Sequence, residues 1–181
     1  MRSFTTLTAL VATLIFSLNA MAFEPDTNDA MELDVARAIV AVKTADPGME
    51  TFFDNAAGYA VYPNVGKGGL IVGGAYGKGL VIVNQQVDGF TTMSQATVGL
   101  QAGGQKYSQF IFFRDQAALE NFKRGNIEFG AQASAVAISK GASTDANYDK
   151  GVVVFTHAGG GLMVEGTIGG QKFTYDPKYK K

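Results

Sequence analysis

The sequence predicts an α+β chain that is mainly β: a strongly curved antiparallel sheet or partial barrel, with N-terminal helices and one mid-chain helix packed against one face or end. Three observations carry this. Apolar residues recur at helical spacing near the start; after Gly58 the pattern changes mainly to short apolar runs broken by Gly and Pro; and glycine pairs recur inside β-forming sequence. The stretches Gly68–Gly77 (GGLIVGGAYG) and 160–169 (GGLMVEGTIG) match at six of ten positions, and 99–104 (GLQAGG) shares four of six with 69–74.

The first residues read as an export signal. Arg2 precedes an apolar run from Leu7 to Leu18 and then Ala20-Met21-Ala22, the charged, hydrophobic and small-residue parts of a secretory leader. The run is shorter than the roughly 20 residues that cross a bilayer. The expectation is a signal peptide over 1–22, cleaved between Ala22 and Phe23, and a single domain over 23–181 placed in the periplasm or secreted. With no cysteine in the chain, there is no lipid attachment through cysteine, no disulfide and no thiolate metal site.

Within 23–181 the acidic N-terminal helices occupy 29–56. Met31, Val35, Ile39 and Val42 form one stripe, Asn28 or Asp29 caps the start, and Asp46-Pro47-Gly48 stops the helix. A second short helix from Met49 to Ala56 carries Phe52 and Phe53. Phe23 to Asp54 holds eight acidic residues against Arg37 and Lys43, a composition that anionic lipid repels, so the stripe is expected to dock on the protein core. The glycine-rich β body runs from 58 to 175. Its strands are expected at 59–62, 69–75, 80–84, 91–99, 108–114, 127–138, 151–156, 162–167 and 172–175, with a hairpin turn at 76–79 and a helix from the Asp115 cap through Lys123 to Gly125. Connections this short favour antiparallel pairing. A basic tail closes the chain over 176–181. Beyond Asp54 twelve basic residues face eight acidic ones, and the formal net charge is −1 overall, without the dense basic stripe that nucleic acid requires.

Glycine inside a strand costs conformational entropy and packing area. The recurrent pairs therefore permit bulges and coiling, or let a backbone or a ligand approach closely.

Catalytic motifs are sparse. Gly77-Lys78-Gly79 lacks the preceding glycine and following hydroxyl of a phosphate loop. His157 is the only histidine and has no nucleophile elbow beside it. Glu165, inside the third glycine repeat, reads as outward-facing or ion-paired, and Asp145 and Asp149 lack calcium-loop spacing. The expectation is a protein that is not an enzyme, with no catalytic residue, metal or cofactor. Binding has better support: Tyr62, Lys67, Tyr76 and Lys78 gather near two expected turns, and Tyr175, Lys178, Tyr179, Lys180 and Lys181 lie in or beside the tail. Such mixtures suit a membrane interface, where rings sit at headgroup depth and lysines meet phosphates, as well as ordinary solvated hairpin ends.

The run Ala57-Gly-Tyr-Ala-Val-Tyr-Pro63 followed by Val65-Gly-Lys-Gly-Gly-Leu-Ile-Val-Gly-Gly-Ala-Tyr-Gly-Lys-Gly-Leu80 resembles the signature of the SYLF lipid-binding domain family, whose yeast members are also described as actin-binding. Later blocks agree, at 99–106, 115–125, 131–138 and 159–166, so the resemblance covers most of the chain from about Ala30 to Tyr175. It implies binding of phospholipid headgroups, with phosphoinositides preferred by eukaryotic members, and implies no reaction. For an exported chain neither actin nor phosphoinositide is expected. The resulting expectation is an exported phospholipid-binding protein of the cell envelope, its lipid-binding residues Lys67, Lys78, Tyr62 and Tyr76, its partner an anionic phospholipid or membrane surface, its protein partner unknown. The rival is a structural or protein-interaction module of the periplasm or envelope. A third reading, an outer-membrane barrel, fits poorly with unbroken apolar runs such as Leu80-Val-Ile-Val83 and Phe110-Ile-Phe-Phe113.

Overall fold

A computed structural model describes residues 22–69, 72–98, 105–127, 129, 134–158 and 166–178. The leader over residues 1–21, Glu165, the 99–104 echo, most of the 160–169 echo and the last three tail residues lie outside the described residues.

Helix α1 spans Ala30–Ala45, and its first N–H groups are satisfied locally: the Asp29 carboxylate accepts from Met31 at 2.8 Å and Glu32 at 3.1 Å. Val35, Ile39 and Val42 are buried, as the stripe requires, and Met31 packs beside them. Asp46 ends the helix and starts a 3-10 turn at Pro47–Met49, which leads into α2 (Glu50–Asn55). Asp46 is itself buried, accepting from Gly48 N at 3.1 Å and from Ser143 N at 2.8 Å, a contact that ties the helical N-terminus to the 3-10 turn Ala142–Asp145. Burial alone pushes its carboxyl up, but the donors of Ser143, Gly48 and Gly141 outweigh that and hold it below the usual carboxylate range. A folded-state pKa lowered in this way contributes stability above the ordinary carboxylate value, lost as pH falls through the folded one. Asp46→Ala is accordingly expected to cost about 1 to 3 kcal/mol at pH 7. In urea unfolding at pH 7 and pH 3, the gap between variant and parent narrows at the lower pH.

The β body runs β1 (Gly58–Gly69), β2 (Val72–Val83), β3 (Gln86–Val98), β4 (Gln105–Phe113), then α3 (Gln116–Lys123), β5 (Ser134–Ala137), β6 (Val152–His157), β7 (Gly166–Thr167) and β8 (Lys172–Pro177). The strand order is β7-β5-β6-β4-β1-β2-β3-β8, so the sheet is open rather than closed. All described pairings are antiparallel except β5 with β6, whose crossover uses residues 138–151.

Two expectations are corrected. The hairpin turn placed at 76–79 does not form: those residues lie within β2, and the chain reverses instead at Asn84 and Gln85, both with positive φ. Gly77 and Gly79 thus occupy a strand because of what faces them. A β-bulge interrupts β1 around Pro63, with register shifts between Val61 and Asn64 on one side and between Tyr62 and Val65 on the other. A Cβ on Gly79 would collide with the carbonyl oxygen of Val61, and one on Gly77 would lie 2.9 Å from Val65 Cγ2.

The helices, second, cover both faces and not one. Phe53, Val35 and Ile39 from the N-terminal helices pack on Tyr59, Val61, Leu80, Ile82, Phe110 and Phe112, while Leu119 and Phe122 of α3 belong to the opposite core with Ala60, Tyr62, Val81, Ile111 and Phe113. This double burial accounts for the unbroken apolar runs in β2 and β4. Phe53 meets Phe112 edge-on at 4.9 Å between ring centroids, and Phe113 meets Phe122 at 4.8 Å.

Candidate functional site

Among the described residues, the α1 face of the sheet is left uncovered around Gly66 and Tyr76. Residues opposite one another in a ladder share a face, so the pairings place side chains in rows. One row crosses five strands: Lys106 on β4, Gly66 on β1, Tyr76 on β2, Ser94 on β3 and Lys172 on β8. All five are exposed, and four strand spacings put its ends roughly 19 Å apart at the backbone. The next row holds Lys78, Thr92 and Thr174, whose two threonine hydroxyls lie 2.6 Å apart. In the row on the other side of the first, Gly68 faces Gly74, and Gly74 faces Ala96. A Cβ on Gly66 or Gly68 would meet nothing within 4 Å among the described residues.

Of the four residues singled out from the sequence, Tyr76 and Lys78 share this surface. Lys67 does not: it pairs with Ala75, whose side chain belongs to the α3-side core, and so faces the other way. Tyr62 is fully buried, its hydroxyl 2.8 Å from that of Thr91, and burial pushes its pKa far up. It cannot touch a membrane in this fold. Tyr62→Phe is expected to cost about 1 kcal/mol in urea unfolding, the net value of one hydrogen bond, and to leave vesicle binding unchanged.

The tail is partly engaged as well. Lys178 Nζ lies 3.0 Å from the buried Glu32 carboxylate on α1, which also accepts from Asp26 N. The Tyr175 hydroxyl donates to Asp88 at 2.6 Å beneath the Lys123 ammonium. Phe23 packs against the α1-side core. Sequence reasoning missed Lys106 and Lys172, which are brought beside Tyr76 only by strand register.

Where this surface meets α1, a cleft of about 380 Å³ opens between the helix and β1, β4 and β6, lined in part by Asp34, Arg37, Asn64, Lys106, Ser108 and His157. Serine, histidine and aspartate thus share one cleft without forming a relay. The Ser108 hydroxyl donates to the His157 backbone carbonyl at 3.2 Å, and Asp34 accepts from Arg37 at 2.8 Å and from Asn64 at 3.4 Å. Proton transfer from serine to the imidazole needs a hydrogen bond that this arrangement does not make. Among the described residues, no three acidic or histidine side chains converge as they would on a metal ion.

Residues 94–179 match the family model described as Ysc84, Las17-binding protein actin regulator. The chain is also 30% identical over 141 residues to beta cell expansion factor A of Aeromonas veronii. That alignment takes in 77% of this chain and 53% of the relative, so the chain spans about half the length of the curated protein it matches.

Proposed function

The chain belongs to the Ysc84 (SYLF) family through residues 94–179, and from that membership we propose that it is an exported, non-catalytic protein that binds anionic phospholipid at the cell envelope through the open end of its sheet. The observation that carries this reading is the pair Gly66 and Gly68. Gly66 is exposed and Gly68 half-buried, both at strand positions where a Cβ has room, so packing among the described residues does not call for them. A glycine at such a position gives up strand stability, and its return is a low floor over which another surface can come close to the backbone. Lys78, Lys106 and Lys172 stand around that floor with Tyr76, the combination that meets headgroup phosphates and the interfacial layer. On α1, Glu32 and Asp34 offset Arg37 and Lys43, so this reading relies on the lysines of the sheet for its cationic contacts.

Periplasmic or secreted placement rests on the leader-like N-terminus. The family description names a protein partner, Las17, and actin; for an exported chain neither is the expected ligand. Co-sedimentation with phosphatidylglycerol vesicles tests the proposal: binding at low salt that weakens as salt rises supports it, since the Debye length shortens from about 30 Å at 0.01 M to about 8 Å at physiological salt. No sedimentation with anionic vesicles at low salt sinks it. In that event the exposed Val40 and Phe90 would favour the protein-interaction reading.

A further inference from the structure

We propose that the cleft between α1, β1, β4 and β6 is a binding site for a small organic carboxylate with an apolar body. The charge count selects this class. Asp34 and Arg37 are paired at 2.8 Å and cancel, leaving Lys106 as the one lysine or arginine in the lining without an acidic partner among the described residues. Among the described residues the side chains of Lys106 and His157 make no hydrogen bond or ion pair; His157 is engaged only through its carbonyl, by Ser108. One ammonium matches one negative charge; a doubly charged phosphate would call for a second free cation, because the Arg37 guanidinium is already held. The imidazole and the Asn64 amide supply further polar partners beside it. Ala38 and Ala41 on the helix and Pro63 at the bulge give the lining, which Tyr107 completes, an apolar wall suited to a hydrocarbon body. A volume of about 380 Å³ lies at the small end of the range for ligand pockets.

This site is separable from the lipid-facing surface. Lys106 and Asn64, which stands opposite Lys78 in its row, touch both, whereas Ala41 and His157 belong to the cleft and Lys78 and Lys172 to the open rows. Amide-resolved NMR titration of the purified protein with hexanoate, hexanol and inorganic phosphate tests it. Hexanoate is expected to give saturable shifts centred on Asp34 to Ala41, Lys106 to Ser108 and His157, with hexanol at least tenfold weaker and phosphate weaker still. Ala41→Phe, which fills the cleft from an exposed helix position, should abolish the hexanoate shifts, and Lys106→Gln should weaken them at least tenfold. The Lys78→Gln, Lys172→Gln double variant should leave them unchanged, so failure here and failure of the vesicle reading are told apart. Equal binding of hexanol, phosphate binding in place of hexanoate, undiminished binding by the folded Ala41→Phe variant, or no saturable shift each overturns the proposal.

Discussion

Gly79→Ala is expected to destabilise the protein by about 3 kcal/mol, while Gly66→Ala and Gly68→Ala change stability by no more than about 0.5 kcal/mol in either direction. The three positions lie on neighbouring strands and differ in what a methyl group would meet. On Gly79 it would collide with the Val61 carbonyl oxygen, with Tyr62 Cδ1 at 2.8 Å and the Val61 carbonyl carbon at 2.9 Å. Most of those atoms are backbone, held by ladders to β2 on one side and β4 on the other, so they cannot yield as a flexible side chain would. The insertion must shift a strand at its bulge, which places the cost at the upper end of overpacking penalties. On Gly66 and Gly68 the methyl enters open space, and the more restricted unfolded chain gives a small gain. Urea unfolding of the three variants reads the difference; for a chain of this size 3 kcal/mol corresponds to a drop of roughly 6 to 12 °C in Tm. If Gly79→Ala stays within about 0.5 kcal/mol of the parent, close approach at the bulge is not what requires that glycine. If Gly66→Ala proves strongly destabilising, an unrecognised packing role displaces the functional account of that residue.

The same contrast shows how far the sequence can be read. The caps and stops of α1 and α3 were legible because they depend on neighbours two to five residues away: Asp29 on Met31 and Glu32, Asp115 on Ala118, Gly125 at positive φ after Lys123. The β glycines were not. Gly77 and Gly79 look like punctuation in one dimension and are strand residues in three, since the atoms that demand their smallness belong to Val61, Tyr62 and Val65. Half of the candidate surface was legible for a similar reason. Tyr76 and Lys78 are two residues apart on one strand and must share a face, whereas Lys106 and Lys172 join them through strands distant in the chain. Tyr62 and Lys67 were assigned to that surface on proximity in sequence. The bulge at Pro63 decides otherwise: residues on either side of it, Tyr62 and Val65, both point into the α3-side core, and Lys67 follows Val65.

Replacing Lys78, Lys106 and Lys172 together by glutamine is expected to weaken binding to phosphatidylglycerol vesicles by about 3 kcal/mol, roughly a hundredfold, on the basis of about 1 kcal/mol for each lysine held near an anionic surface. The geometry makes the three lysines act together. They flank one glycine-floored patch about 19 Å across at the backbone, so a flat bilayer reaches all of them in one orientation. Lys67→Gln removes the same charge from the opposite face and is the matched control, with less than a twofold change expected. Glutamine keeps a polar side chain only one atom shorter, and all three lysines of the patch are charged groups at ladder positions rather than core positions, so loss of binding without loss of stability isolates the electrostatic contribution. Gly66→Leu isolates the floor. It changes no charge and has room to fold, yet it raises a bulky side chain between Lys106 and Tyr76 and is expected to weaken vesicle binding severalfold if the membrane comes close to the backbone there. A triple variant that sediments like the parent would show that the patch is not the contact. Loss in the triple variant with no effect of Gly66→Leu would keep the lysines and remove the glycine floor, because diffuse attraction to a surface acts across a Debye length and does not require close approach.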